Sequence, residues 1–547
     1  MKKHLLIRSL LILILTAFTI NAEITTHIFP IIPIEKSSKE TVDMDYLVHS
    51  DTPYSIQIIG SPSLNCYIKT HEIMVIPLKD FTGLTTLSLK ITSKKDSAVF
   101  DIPVQVLQNI FPVKFGYSTE DPSLKVSVAG SFNGWMANKD ILTYDDKNKV
   151  YTNTLNLKSG VYQYKFIVND KWIFDPSNPQ KSPDGFGSYN SILQTGEYNK
   201  PAISIIPLQK EKFFIHCEKK ISFKKKHIKL YINNQSVTDL SLVKNQIILK
   251  ENKNIENMVI LITHPDCQTG RFIYDKKKDD WNRSVLYFVF TDRFFNGNSK
   301  NDRKEKPAHV DPYCDYMGGD FQGIKEKIES GYFKELGVDT LWISPVNDNP
   351  EEFYRDHFPP HKYFGAYHGY WPGDPVKPEN HFGTETELKD LIRTAHKNSI
   401  KILFDMVFNH THTNHPLYRD HPDWYGSMYT PDKRLNLRLF EEFPFTTWFD
   451  FWIPSLDYSN KEVPQAMIDN ALWWIKEYNI DGFRLDAVKH IPPSFWKQLR
   501  SAVRKEIELE ENRLFYMVGE SISDRETINQ FIGYDKLDGQ FDFPLYF

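Results

Sequence analysis

From Trp281 onward, apolar runs of strand length alternate with segments of helical period, and this alternation restricts the fold more than any other feature of the chain. The runs are "VLYFVFT" from Val285, "TLWISPV" from Thr340, "KILFDMV" from Lys401, "GFRLDAV" from Gly482 and "LFYMVG" from Leu514. Between them, Leu388, Leu391, Ile392 and Ala395 form one helical stripe, and Met467, Ala471, Trp474, Ile475 and Tyr478 form another. Repeated βα units imply a parallel sheet. A doubly wound sheet shares this periodicity with a barrel, but no Gly-rich phosphate loop follows any of the strands. Residues 408–462 are too many for a βα loop and are expected to form a small excursion domain over one mouth of a barrel.

The preceding residues read differently. Short alternating runs such as "TTLSLKIT" and "AVFDIPVQVL" lie between Ser, Asp and Gly turns, a β-sandwich pattern of immunoglobulin-like type. Three such modules are expected, at 23–110, 111–200 and 201–280, the last closing with the charged linker "YDKKKDD". The first residues, 1–22, read as a signal peptide: Lys2, Lys3 and Arg8 precede an apolar run from Leu10 to Ile20, and Ala22 suits cleavage. Eleven apolar residues fall short of the ~20 that span a bilayer. The expectation is therefore a secreted or periplasmic protein with no stable membrane insertion after cleavage. A net charge of −4 and no basic motif argue against a nucleic-acid partner. Aromatic residues make up 14% of the chain, a level that suits stacking on flat apolar faces such as sugar rings. The four cysteines, Cys66, Cys217, Cys267 and Cys314, match no zinc spacing, and their pairing is undecided by sequence.

Polar residues interrupt the ends of three of the late strands: Asp405, Asn409 and His410 in "DMVFNH", Arg484, Asp486 and His490 in "GFRLDAVKH", and Glu520 in "VGES". In a (β/α)8 barrel the C-terminal strand ends line one face, so side chains over a hundred residues apart converge there. Two carboxylates from neighbouring strands meet the requirement of retaining glycoside hydrolysis, one as nucleophile and one as acid/base. Asp486 follows Arg484 by two and shares its strand face, so the guanidinium can keep the carboxylate ionised. Glu520 follows apolar Met517 and Val518, where desolvation can keep it protonated.

These segments resemble the signatures of the α-amylase family, glycoside hydrolase family 13: "DMVFNH", "GFRLDAVKH" and "GES" in order, with "IPSLD" at Ile453 less closely. "YFVFTDRFFNGN", "YMGGDFQGI", "LGVDTLWISPV" and "YHGYW" resemble the start of the same catalytic domain. The resemblance implies an amylase-type TIM barrel over 281–547, with Asp486 as nucleophile, Glu520 as acid/base and Arg484 as their orienting partner. It implies that Asp405, His410, Tyr370 and His490 bind substrate at the scissile bond, Tyr370 by stacking. The barrel is expected to be incomplete at the C-terminus: five strands and a possible sixth in "GQFDFPLYF" precede Phe547, and the family's third carboxylate falls beyond it. A fragment of this kind is expected to aggregate or show trace hydrolysis.

"NGNSKND" at 296–302 and "GGD" at 318–320 concentrate oxygen ligands suited to Ca²⁺. The family resemblance assigns calcium to Asn296, Asn298, Asn301, Asp302, Gly318 and Asp320. The histidines of "HTHTNHPLYRDH" form no complete transition-metal set. In the second module, "VAGSFNGW", "YQYKFIVNDKWIFDP" and "GSYNSI" resemble a glycogen-binding module. That resemblance places Trp135 and Trp172 on glucose rings, with Lys165 and Asn190 bonding hydroxyls; the alternative is that both indoles belong to the sandwich core. The expected function is retaining hydrolysis of α-1,4-glucosidic bonds in starch, glycogen or maltooligosaccharides, with α-glucan as partner. A cyclodextrin or maltodextrin transglycosylase, or a non-catalytic α-glucan-binding relic, are the alternatives.

Overall fold

A computed structural model describes residues 24–546 of the protein, apart from 27, 51, 109, 185–186, 210, 251–253, 277–278, 305–306, 358, 441 and 509–512. The proposed signal segment lies outside the described residues. The chain divides into two compact units, Met1–Asp275 and Lys276–Phe547.

The N-terminal unit is built of antiparallel sheets whose strands alternate buried and exposed side chains, as the sequence pattern requires. In the first module the long hairpin Gly83–Thr92 and Ser97–Leu107 anchors one sheet, and Ile32–Glu35 adds to it in parallel. In the second, Gly160–Val168 pairs with Val126–Gly130, Lys171–Ile173 and Tyr189–Thr195 around a core that includes Phe115, Val128, Tyr164 and Phe166. The third packs two four-stranded sheets around Phe213, Leu230, Ile247 and Ile260. The first and third modules are joined directly: the Phe29 amide donates to Asn234 Oδ1 at 2.7 Å and the Ser236 amide to Asp101 Oδ2 at 2.8 Å. Tyr231, Val259 and Leu261 of the third pack against Ile28, Ile31 and Leu84 of the first.

In the C-terminal unit six strands lie side by side, all parallel: β1 (Leu286–Val289), β2 (Thr340–Ile343), β3 (Lys401–Met406), β4 (Gly482–Leu485), β5 (Tyr516–Gly519) and β6 (Gly539–Gln540). Their spatial order is their chain order, which separates a singly wound barrel wall from a doubly wound sheet, where the order reverses at a switch point. The crossovers include α1 (Phe321–Glu329), α2 (Glu385–Lys397), α3 (Glu462–Tyr478) and α4 (Pro493–Val503). Both expected stripes are buried: Leu388, Leu391, Ile392 and Ala395 on α2, and Met467, Ala471, Trp474, Ile475 and Tyr478 on α3. Helix α2 starts where Thr384 and Glu387 form a reciprocal capping box. The chain between β3 and α3 carries a short helix, Pro416–Asp420, and is otherwise mostly irregular, held by single bridges such as Tyr425 with Leu456 and Leu437 with Trp448.

Candidate active site

The C-terminal ends of β3, β4 and β5 bring three carboxylates onto one guanidinium. Asp405 and Arg484 are register partners across β3 and β4, so their side chains leave the sheet side by side. The ladder continues one residue past β4: the Asp486 amide donates to Met406 O at 3.0 Å, and the Glu520 amide to Leu485 O at 2.9 Å. Backbone hydrogen bonds therefore fix both candidate reacting residues to the rim. Beyond Asp486 the chain turns sharply through Ala487, which has φ +50°, a left-handed conformation costly for a residue with a Cβ.

Arg484 Nη1 donates to Asp405 Oδ1 at 2.6 Å and to Asp486 Oδ1 at 3.0 Å, and its Nη2 donates to Glu520 Oε2. Asp405 is fully buried at 0% exposure, and its second oxygen accepts from Tyr370 Oη and from Trp342 Nε1, each at 2.8 Å. Burial pushes Asp405 up to about 6, with Arg484 working against it. Burial also raises Glu520, whose side chain is 27% exposed, to about 7; Arg484 opposes this, while the charges of Asp486 and Asp405 and a hydrogen bond with Asp486 add to it. Burial works against the charge of Arg484, but Asp405, Asp486 and Glu520 outweigh that and hold its proton more tightly than usual. The site thus keeps a permanent cation, and burial favours the protonated form of Glu520 beside Asp486.

His410 Nε2 meets Tyr370 O at 3.0 Å, and burial pushes the imidazole down, with Asp486 opposing. Tyr370 donates to Asp405 through its hydroxyl. His490 lies against Phe440 and Phe449, with Nδ1 on Pro444 O at 3.0 Å, and His410 packs on the same Phe449 ring. The sequence reading missed Trp342. Its indole holds Asp405, stacks on Phe288 at 3.9 Å and lies 4.9 Å from the Arg484 guanidinium carbon. The one local trace is that Trp342 interrupts the aliphatic run "TLWISPV", which does not point to Asp405. The remaining histidines of the excursion hold the loop: His412 bonds Tyr354 and the Asn414 amide, and His415 accepts from the Leu417 amide.

Of the six residues assigned to calcium, Asn296, Asp302 and Gly318 converge: Asn296 Nδ2 lies 2.8 Å from Asp302 Oδ1, and a Cβ on Gly318 would meet the same two atoms at 2.5 and 2.7 Å. Both polar atoms of the Asn301 side chain are buried without a hydrogen-bond partner, an arrangement that costs free energy unless a ligand satisfies it. Asn298 uses its amide nitrogen on Glu387 at 3.2 Å. Asp320 caps α1, accepting from the Gly323 amide at 2.6 Å, and also takes the Gly297 and Asn298 amides. A buried amide oxygen, carboxylates and a glycine whose close neighbours leave no room for a Cβ are compatible with a Ca²⁺ site, so the residues fit the ion. Among the described residues, no group of three or more His, Cys, Asp or Glu side chains could hold a metal. The donors here are mostly amide and carbonyl oxygens.

In the second module Trp135 and Trp172 are 36% and 45% exposed, with ring centroids 6.2 Å apart. They are surface residues and do not belong to the core. Trp135 has φ +59°, a strained conformation in a turn that begins at buried Asn133. Lys165 bonds Asp184 at 2.6 Å and Asn190 bonds Gln163 at 2.8 Å, both largely buried.

Three carboxylates gathered on one arginine at the strand ends of a singly wound parallel wall are the arrangement of a glycosidase-type site. Residues 288–547 match the family described as the alpha amylase catalytic domain, and residues 111–201 match the glycogen recognition site of AMP-activated protein kinase. Cyclomaltodextrinase of Thermoanaerobacter pseudethanolicus is 33% identical over 231 residues, 40% of this chain and 37% of its own. Cyclomaltodextrin glucanotransferase of Bacillus licheniformis is 33% identical over 252 residues, 41% of this chain and 33% of its own. The crystal structure of an Anoxybacillus alpha-amylase aligns with a TM-score of 0.40 and 35% identity, covering 49% of this chain and 53% of that one. Residues 288–547 are thus similar to alpha amylase catalytic domains, and a segment similar to a glycogen recognition module precedes them in the chain. The chain spans about a third of the length of the two curated relatives.

Proposed function

We propose that the protein is an exported, retaining α-glucan hydrolase acting on α-1,4-glucosidic bonds. One observation carries this reading: a single guanidinium bridges Asp486 and Glu520, with Nη1 on Asp486 Oδ1 and Nη2 on Glu520 Oε2. That closeness suits a covalent double displacement; an inverting enzyme separates its carboxylates by ~6.5–9.5 Å to admit a water. Glu520 gives its proton to the glycosidic oxygen as Asp486 attacks the anomeric carbon and the leaving chain departs. Glu520, now ionised, takes a proton from the acceptor hydroxyl, which displaces Asp486 and retains the anomeric configuration. Arg484 holds the Asp486 carboxylate in place through its hydrogen bond at 3.0 Å, while Asp405, His410, Tyr370 and His490 bind the sugar beside it. Trp342 is a positioning residue that holds Asp405.

Water is the acceptor in hydrolysis and a sugar hydroxyl in transglycosylation. The relatives named above include both a cyclomaltodextrinase and a glucanotransferase, which keeps the second activity as the alternative. Asn296, Asn298, Asn301, Asp302, Gly318 and Asp320 would hold Ca²⁺, which would offset the carboxylate charge and fix the loop after β1. Trp135 and Trp172 offer two exposed indoles to consecutive glucose rings of a long chain. Product chromatography on glycogen and on a short maltooligosaccharide tests the reading. Shortened linear products are expected from both, and Trp135→Ala with Trp172→Ala should slow glycogen alone. Bound glucan with no product would leave a non-catalytic binding protein.

A further inference from the structure

The third sandwich contains a thiol pair that glucan hydrolysis does not use. Cys217 ends the strand Lys212–Cys217 of one sheet, and Cys267 sits in the turn between Asn257–Ile262 and Gly270–Asp275 of the other. Both carry free thiols, and their Sγ atoms are 3.6 Å apart although the residues are 50 positions apart in sequence. The backbone maintains this contact. Ile203 is the register partner of Cys217, and the turn bearing Cys267 is pressed onto the same residue: a Cβ on Gly270 would meet the Ile203 side chain at 2.6 Å. The Gln268 amide donates to Pro201 O at 3.0 Å and the Cys267 amide to His264 O at 3.1 Å, which fixes the turn on both sides of the thiol. A bond requires the two sulfurs to approach from 3.6 Å to about 2.05 Å.

We propose that Cys217 and Cys267 are a disulfide-forming pair that cross-links the two sheets of this module. Cys267 is 2% exposed in the core and Cys217 is half-buried, so Cys217 is the thiol that an oxidant reaches first. Burial, together with the neighbouring Cys217, pushes the Cys267 thiol up to about 11, which leaves it protonated until an attack is at hand. The oxidant is a small-molecule or protein disulfide. The Cys217 thiolate attacks one of its sulfurs, forming a mixed disulfide and releasing one carrier thiolate. Cys267 then gives its proton to solvent and attacks Cys217 Sγ, expelling the second carrier thiolate. Two protein thiols are oxidised and one carrier disulfide is reduced to two thiols.

The test treats the purified full chain with oxidised glutathione or with dithiothreitol, then counts thiols after denaturation and maps peptides by mass spectrometry without reduction. The expected result is loss of two of the four thiols and a Cys217–Cys267 linked peptide lighter by two hydrogens. Cys217→Ser and Cys267→Ser should each abolish that species while Cys66 and Cys314 remain free. Four surviving thiols, a glutathione adduct on Cys217 that never resolves, or a link through Cys66 or Cys314 would each overturn the proposal.

Discussion

Replacing Arg484 by Met removes the cation shared by three carboxylates while keeping most of the side-chain volume. The residue is 2% exposed and bonds Asp405, Asp486 and Glu520, and Asp405 has no solvent to fall back on. Removing one partner of a buried ion pair costs about 3–5 kcal/mol. For a unit the size of Lys276–Phe547, at about 2 °C per kcal/mol, this lowers Tm by about 6–10 °C. The pH dependence follows from the raised carboxyls. Asp405 stands at about 6 against 3.8, and Glu520 at about 7 against 4.5. Between those values the folded chain holds more protons at these positions than the unfolded chain, so their contribution to stability falls as pH rises. Arg484 lowers both groups, and without it they rise further, extending that loss to higher pH. The Tm gap between wild type and Arg484→Met should be wide near pH 8 and narrow near pH 4, where the carboxyls are protonated in either protein. Thermal melts by circular dichroism at the two pH values measure it. A gap that is constant, or wider in acid, would refute the shared-cation account.

Glu520→Gln should lower turnover on maltooligosaccharides by about 10²–10⁴-fold with the melting temperature nearly unchanged, because it removes the acid and keeps the shape. In the wild type, kcat/KM should fall as pH rises through about 7, the value to which burial raises Glu520, and a flat profile from pH 6 to 9 would reassign the acid. A chelator should lower Tm, since an ion held only by the native state stabilises by mass action, and Asp302→Ala should abolish the difference. Asp302 is the better probe than Asp320, whose cap on α1 would be lost along with any ion.

The fold of the C-terminal unit was legible because two different periods overlap in one stretch of chain. The runs at Val285, Thr340, Lys401, Gly482 and Leu514 became strands, and the sixth, Gly539–Gln540, falls within "GQFDFPLYF". The convergence of Asp405, Arg484, Asp486 and Glu520 was legible for the same reason, since strand ends in a parallel wall share a rim. What the sequence could not show depends on partners distant in the chain. Trp342 reads as one more core aromatic until the indole N–H is placed against Asp405 63 positions away. Asp320 reads as an oxygen ligand, and only the structure shows its carboxylate taking the Gly297, Asn298 and Gly323 amides. The docking of the first module onto the third, through Asn234 and Asp101, likewise leaves no local trace, because Asn and Asp at turns are ordinary in any β-rich chain.

The central claim is that Asp486 forms a covalent bond to the sugar while Glu520 handles the proton. A fluorinated α-glucosyl fluoride, which slows breakdown of the glycosyl-enzyme more than its formation, should label the chain once, and peptide mapping should place the sugar on Asp486. A label on Glu520, on Asp405 or on any other residue would contradict the assignment.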